Sequence, residues 1–353
     1  MYAYVGCYTA PDREGRGQGI TIFRMDPASG TWLGVGVVEA GVNPAFLALH
    51  PSGAFLYAVH GGGGDEVSAF TRDRVTGALT FHNRQPCGGT NPVHLDLTPD
   101  GRTLVVANYT GGTVAALSVG ADGRLGAPGS VLPLVGTPGP DPQEQDRPHP
   151  HHSPFDPAGR FVVIPDKGLD RLFVFRAGAE AGTIVANEPA GVDTARGAGP
   201  RHIAFAPGAP YAYVINELDS TVTTYRYDAG AGTLTPRSSV SSLPQGWTGK
   251  NTGSEIAVAA DGRFVYVSNR GHDSIGIFAV SADDGLLSAV GWEPTQGQTP
   301  RFFGLDPSGT FLYAANQDSD TIVTFRVDAD TGLLTPTGQI ITSGSPSCIV
   351  FAG

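Results

Sequence analysis

The chain has 353 residues, a formal net charge of -11, 40% hydrophobic and 16% charged residues, and 50 glycines and 28 prolines. An acidic chain without a basic stripe excludes a nucleic-acid surface, the absence of any apolar run near the ~20 residues of a membrane span excludes a helical anchor, and the hydrophobic content excludes long disorder. Glycine and proline recur at turn positions along the whole length, which points to many short strands.

The chain opens on Met1-Tyr2-Ala3-Tyr4-Val5-Gly6-Cys7, a strand-like run without a basic leader, and is expected to carry neither signal peptide nor anchor. Cys7, Cys87 and Cys348 are far apart and odd in number. A disulfide framework is not indicated, and the cytoplasm is the expected compartment.

From there one strand-turn-strand unit recurs. Asn43-Pro44 leads through Pro51-Ser52-Gly53 to Leu56–His60, and Asn91-Pro92 through Pro99-Asp100-Gly101 to Leu104–Asn108. Pro150-His151 leads through Pro157-Ala158-Gly159 to Val162–Asp166, and Pro200-Arg201 through Pro207-Gly208 to Tyr213–Asn216. Gly253-Ser254 leads to Val265–Asn269, and Thr299-Pro300 to Leu312–Asn316. The closing residues His60, Asn108, Asp166, Asn216, Asn269 and Asn316 stand 48, 58, 50, 53 and 47 apart. A period near ~50 with four strands per repeat describes propeller blades. A third and fourth strand complete each unit, as in Thr221–Tyr225 and Gly232–Thr235.

Six units are complete, and the ends complement each other. Pro346–Phe351 reads as a first strand with nothing after it, while the N-terminal stretch supplies strands two to four. The expected fold is all-β, one domain over residues 1–353, a seven-bladed propeller of four antiparallel strands per blade. The two termini share one blade, so no sheet edge is left open at the closure. Gly126–Pro148, rich in proline and glycine, is expected to be an irregular insertion delivering the chain into His149-Pro150-His151-His152.

In an antiparallel hairpin the start of the first strand and the end of the second share one edge. His151, Arg201, Glu217, Glu255, Arg270, Arg301 and Gln317 occupy those positions and should converge on one mouth of the central channel. Several arginines there, in an acidic protein, suit a carboxylated or phosphorylated small molecule. Glu255 and Arg301 could equally bridge blades as ion pairs. His149, Gln317, Asn216 and Asn269 border the same edge and are further candidates for substrate contact. His94, His149, His151, His152 and His202 form a histidine-rich set, but no cysteine or aspartate pair at ligand spacing accompanies them, so no metal is expected. No GxGxxG, Walker or GxSxG pattern occurs, and no cofactor is expected.

At Pro148–His151, Gly199–His202, Val214–Ser220, Val267–Ser274, Thr299–Phe302 and Ala315–Ser319 the sequence resembles the bacterial lactonase family of seven-bladed propellers, which includes a propeller-type 6-phosphogluconolactonase and, more distantly, the fungal carboxy-cis,cis-muconate cyclase. The resemblance covers nearly the whole chain. It implies a metal-independent hydrolysis of a sugar lactone, 6-phosphogluconolactone in the pentose phosphate pathway being the leading substrate. His151, Arg201, Glu217 and Arg270 are the implied catalytic set, with Glu217 or His151 as base, and Arg301 would grip phosphate. Two departures stand out: His60-Gly61 where the family more often has Asn-Glu, and Lys167 where a leucine is usual. A muconate-type cyclase is the second reading, and a propeller that binds a protein through an exposed aromatic patch is the third.

Overall fold

A computed structural model describes residues 1–353. The N-terminal strands are β1 (Tyr2–Cys7), β2 (Ile20–Met25) and β3 (Trp32–Val38). The second blade comprises β4 (Pro44–Leu49), β5 (Phe55–His60), β6 (Glu66–Arg72) and β7 (Leu79–Pro86), and the third β8 (Pro92–Leu97), β9 (Thr103–Asn108), β10 (Thr113–Val119) and β11 (Leu125–Pro133). The fourth holds β12 (Phe161–Asp166), β13 (Arg171–Ala177) and β14 (Ile184–Asp193), and the fifth β15 (Pro200–Phe205), β16 (Tyr211–Asn216), β17 (Thr221–Asp228) and β18 (Thr233–Ser241). The sixth holds β19 (Thr252–Val258), β20 (Phe264–Arg270), β21 (Ser274–Val280) and β22 (Leu287–Pro294). The seventh holds β23 (Pro300–Leu305), β24 (Phe311–Asn316), β25 (Thr321–Val327) and β26 (Leu334–Thr342), and the last strand, β27 (Pro346–Ala352), returns to the first blade. There it pairs antiparallel with β1, Tyr4 opposite Val350 and Val5 opposite Ile349. The ring is thus closed by strands from both ends, in the order β27-β1-β2-β3.

Two expectations need correction. The fourth blade has three strands, not four. Its inner segment touches β12 only through isolated bridges, Pro150 with Asp166 and Phe155 with Val162. Pro150 and Pro154 lack the amide hydrogens a continuous ladder needs. The insertion is also shorter than Gly126–Pro148, because its first residues belong to β11, where a register shift between Ala116 and Leu117 leaves Gly129 as the extra residue.

Hydrophobic burial is divided among the blade interfaces. Side chains alternate across a strand, so β16 sends Ala212 and Val214 against the fourth blade's Val163 and Val174, and Tyr213 and Ile215 against the sixth blade's Val265 and Val267. Equivalent clusters fill the other interfaces, including that between the seventh and first blades.

The repeated tyrosine of the second strand has a specific task. Tyr4 donates to the carbonyl of Gly77 (2.8 Å), Tyr57 to Gly123 (3.0 Å), Tyr213 to Gly285 (3.0 Å), Tyr266 to Gly332 (2.9 Å) and Tyr313 to Gly30 (2.9 Å). Each acceptor lies in the turn between the last two strands of the next blade, so each tyrosine clips one blade to its neighbour. The glycines have left-handed φ, from 71° to 80°, and a Cβ on Gly285 would lie 2.5 Å from the Tyr211 ring. Tyr213→Phe removes one buried bond and strands the Gly285 carbonyl. It is expected to cost about 1 kcal/mol in urea unfolding, and an unchanged midpoint would show that the clip contributes nothing.

Candidate active site

The charged edge of the channel is built by one repeated backbone device. A left-handed residue precedes the first strand: Asn43 (φ 46°), Asn91 (φ 55°), Gly199 (φ 61°) and Thr299 (φ 57°) each lie directly before a proline. Immediately afterwards the strand register slips. Pro200 faces Asn216 but His202 faces Ile215, and Pro300 faces Asn316 but Phe302 faces Ala315. Arg201 and Arg301 are therefore extra residues on β-bulges, which re-aim side chains out of the ladder. In β19 the slip runs from Gly253 to Ile256, so Ser254 and Glu255 are both displaced.

Hydrogen bonds then lock these bulges to one another across blades. Arg201 Nη1 donates to the Ser254 carbonyl (2.7 Å), and Ser254 Oγ donates to the Arg301 carbonyl (2.7 Å). His151, Arg201, His202, Glu255, Arg301 and Tyr8 all line the narrow throat of the channel.

Glu217 stands at the centre of the charges. Its carboxylate lies 3.2 Å from Lys167 Nζ, 3.2 Å from Arg201 Nε and 3.3 Å from Arg270 Nη2. Burial alone would raise its pKa, but Arg270, Lys167 and Arg201 together hold it down at about 2. Lys167, the unusual residue at its position, also meets Glu144 of the insertion at 2.6 Å, and its ammonium is held above its ordinary pKa by Glu217 and Tyr109 against the opposing effect of burial. The insertion is thereby fastened over the mouth, with Gln145 Nε2 donating to the Lys167 carbonyl and to Asp170, both at 2.8 Å. Arg201 is 2% exposed. Burial, then the neighbouring Arg270 and Arg301, lower its pKa, so an added anion would relieve real repulsion.

A second cationic group adjoins the first. Arg301 and Arg13 lie over the Tyr8 ring at 5.3 and 5.0 Å. Arg13 Nε is buried without a hydrogen-bond partner.

The histidines stack instead of converging. His152 lies parallel to His202 with centroids 4.0 Å apart, and His94 meets His152 edge-on at 4.0 Å. No group of three His, Cys, Asp or Glu side chains is arranged to share one metal ion. His202 Nδ1 is 2.9 Å from Glu255 Oε1, and its Nε2 is 3.2 Å from His151 Nδ1. Burial, then Arg201, Arg301, Lys167 and Arg270, hold the pKa of His151 well below its ordinary value, so this imidazole is neutral at pH 7.

Of the residues read from the sequence, His151, Arg201, Glu217, Arg270 and Arg301 are brought together. Gln317 sits at the rim, its amide 3.3 Å from Asp318. Three others are placed differently. His149 bonds Asp146 (2.9 Å) and the Tyr109 carbonyl (3.1 Å) through its two ring nitrogens, which leaves none for a substrate. Asn216 donates to Thr221 and Thr223, and Asn269 to the Ser242 carbonyl, all at 2.9 Å. These asparagines brace their own blades, since a shift of one residue along a strand reverses the face. His60, the other departure, is tied to Ser68 (2.7 Å) and the Val42 carbonyl (2.8 Å) and acts in packing. Tyr8 and Arg13 carry no signal in the sequence, and His202 is read there only as one of the histidine-rich set. The adjacency of His202 to Arg201 is the sequence signal that places it at the mouth.

A concavity of about 630 Å³ lies on the opposite face. Its buried carboxylate, Asp156, accepts from the Arg160 and Phe161 amides and from Tyr227 Oη, so no reactive group is free there.

A seven-bladed ring with a neutral imidazole beside clustered guanidiniums and an ammonium is a propeller with the polar channel mouth of an enzyme for small molecules. The chain belongs to the lactonase, seven-bladed β-propeller family, whose model matches residues 2–351. It is 37% identical over 308 residues to the 6-phosphogluconolactonase of Bacillus subtilis, covering 86% of this chain and 85% of that protein. It is 34% identical over 315 residues to the 6-phosphogluconolactonase of Formosa agariphila, covering 86% of both. The solved periplasmic gluconolactonase of Pseudomonas aeruginosa superposes with a TM-score of 0.91 at 33% identity, over 100% of this chain and 99% of that one.

Proposed function

We propose that this protein hydrolyses 6-phosphogluconolactone to 6-phosphogluconate in the mouth of the channel, without a metal, as a step of the pentose phosphate pathway. The observation that carries the reading is the excess of cations, Lys167, Arg201, Arg270 and Arg301, over the single low-pKa carboxylate of Glu217, in a protein of net charge -11.

The same geometry separates the roles. A carboxylate held at about 2 is a weak base, so His151 is the base and Glu217 the anchor of the cationic ring. His151 Nε2 takes a proton from a water whose oxygen bonds the lactone carbonyl carbon. Arg201 and Arg270 stabilise the oxyanion, since fixed donors aimed at developing charge lower the barrier. Collapse breaks the ring C–O bond, the imidazolium returns its proton to the departing oxygen, and the new carboxylic acid ionises to solvent. A bound phosphate also neutralises the cations that depress His151, which makes it a stronger base in the complex than in the free enzyme.

The purified protein is expected to accelerate 6-phosphogluconolactone opening above the spontaneous rate, with 6-phosphogluconate a competitive inhibitor. No acceleration would refute the reading, and inhibition by dicarboxylates instead would favour a muconate-type reaction. Arg301→Ala is expected to raise KM for the phosphorylated lactone by about 10- to 100-fold, the equivalent of one charge-assisted bond. The unphosphorylated lactone should be little affected, and equal losses on both substrates would remove Arg301 from the phosphate end.

A further inference from the structure

We propose that Glu255 and His202 form a buried relay that holds His151 as the Nδ1–H tautomer, leaving its Nε2 lone pair free to act as the base. The proposal rests on the lactonase reading above for its chemistry, but the relay itself is a statement about three side chains.

The three are 6%, 2% and 6% exposed in the order Glu255, His202, His151, and their contacts run in one direction. Glu255 Oε1 already accepts from the Ile256 amide at 2.9 Å, so it faces His202 Nδ1 at 2.9 Å as an acceptor. His202 Nδ1 therefore carries the hydrogen. A neutral imidazole has one donor and one acceptor nitrogen, so His202 Nε2 is an acceptor. The nitrogen 3.2 Å away, His151 Nδ1, must donate to it. His151 Nε2 is left as the lone pair, and Nδ1 is the ring atom through which His151 is held. His152 keeps the His202 ring from turning: it stacks at 4.0 Å and is itself fixed by accepting from the Ile203 amide at 3.1 Å.

The relay has a second function during turnover. When His151 Nε2 receives a proton, the imidazolium sits among four cations in a buried site, and a carboxylate two rings away is the compensating charge. Glu255 Oε2 has no hydrogen-bond partner, and burial pushes the carboxyl up to about 7 against the pull of Arg201. The groups facing it are Arg201 and His202 from β15, Arg301 from β23, Tyr8, and the buried thiol of Cys348 from β27. Below this value Glu255 is protonated and the compensating charge is gone; above it the charge is present. Activity is expected to rise with pH through about 7 and then level off. Glu255 and His202 are positioning residues, since neither touches the lactone.

Two measurements on the full chain test this. Long-range proton–nitrogen NMR of the imidazoles of the wild-type protein at pH 8, assigned by the signals lost in His151→Ala and His202→Asn, is expected to show both rings protonated at Nδ1. A proton on His151 Nε2 would overturn the relay. In Glu255→Gln, kcat is expected to fall on the order of 10-fold, KM to stay within about twofold, and the acid limb to vanish from the pH profile. Wild-type kcat with the limb intact would overturn it too. If the NMR result holds and no lactone is hydrolysed by the wild-type protein, the relay stands and the lactonase reading fails.

Discussion

Replacing His151 with alanine is expected to lower kcat for lactone opening by about 10²–10⁴-fold, with a much smaller change in KM. The size follows from its task, because a positioned base contributes only if it meets the attacking water as the bond forms. His151 is suited to that task by neutrality: burial and its cationic neighbours keep it unprotonated at physiological pH, and its one side-chain hydrogen bond runs through Nδ1. The residual activity should be that of the cationic ring alone, which still polarises the carbonyl. Steady-state kinetics at pH 7.5, with spontaneous hydrolysis subtracted, checks the prediction. A variant with wild-type kcat would move the base elsewhere.

Glu217→Gln is expected to have the largest effect on stability. The carboxylate is the common partner of Lys167, Arg201 and Arg270, and removing one partner of a buried ion pair costs about 3–5 kcal/mol because the remaining charges stay buried. With the folded pKa held at about 2 and the unfolded value near ~4.3, this contribution is fully present above the unfolded value. It is lost as the pH falls through the folded one. Denaturant unfolding should therefore show a constant deficit from pH 6 to 8 that shrinks under acid conditions. Inorganic phosphate should restore part of it by occupying the place of the carboxylate, since binding to the folded state alone stabilises by mass action. A deficit under 1 kcal/mol, unaffected by phosphate, would mean that the cations are not organised around Glu217.

The architecture was legible because its signals are local and repeated. The turn pairs, the alternation of apolar residues and the proline at the start of most first strands recur at a spacing near ~50, and the fragmentary ends could be joined only as β27 beside β1. The mouth was legible in part for the same reason: Arg201, Glu217, Arg270 and Arg301 hold equivalent positions in successive blades. Asn216 and Asn269 were misplaced, because adjacent residues on a strand face opposite ways and the bulges shift the phase. The continuous first strand expected in the fourth blade failed where two prolines interrupt the ladder.

Composition and periodicity alone therefore determined the seven-fold ring, its closure and which edge of each blade carries charge. These follow from backbone hydrogen bonding and turn chemistry, which act between near neighbours in sequence. The tertiary structure decided which charges meet. Glu217 draws Lys167 from the fourth blade and Arg270 from the sixth to meet Arg201 of its own blade, and Glu255 reaches His151 only through His202 of another blade. Such contacts join residues about 50 apart. They depend on bulges that turn a side chain by one register, and their electrostatic weight comes from burial, which no local pattern of residues records.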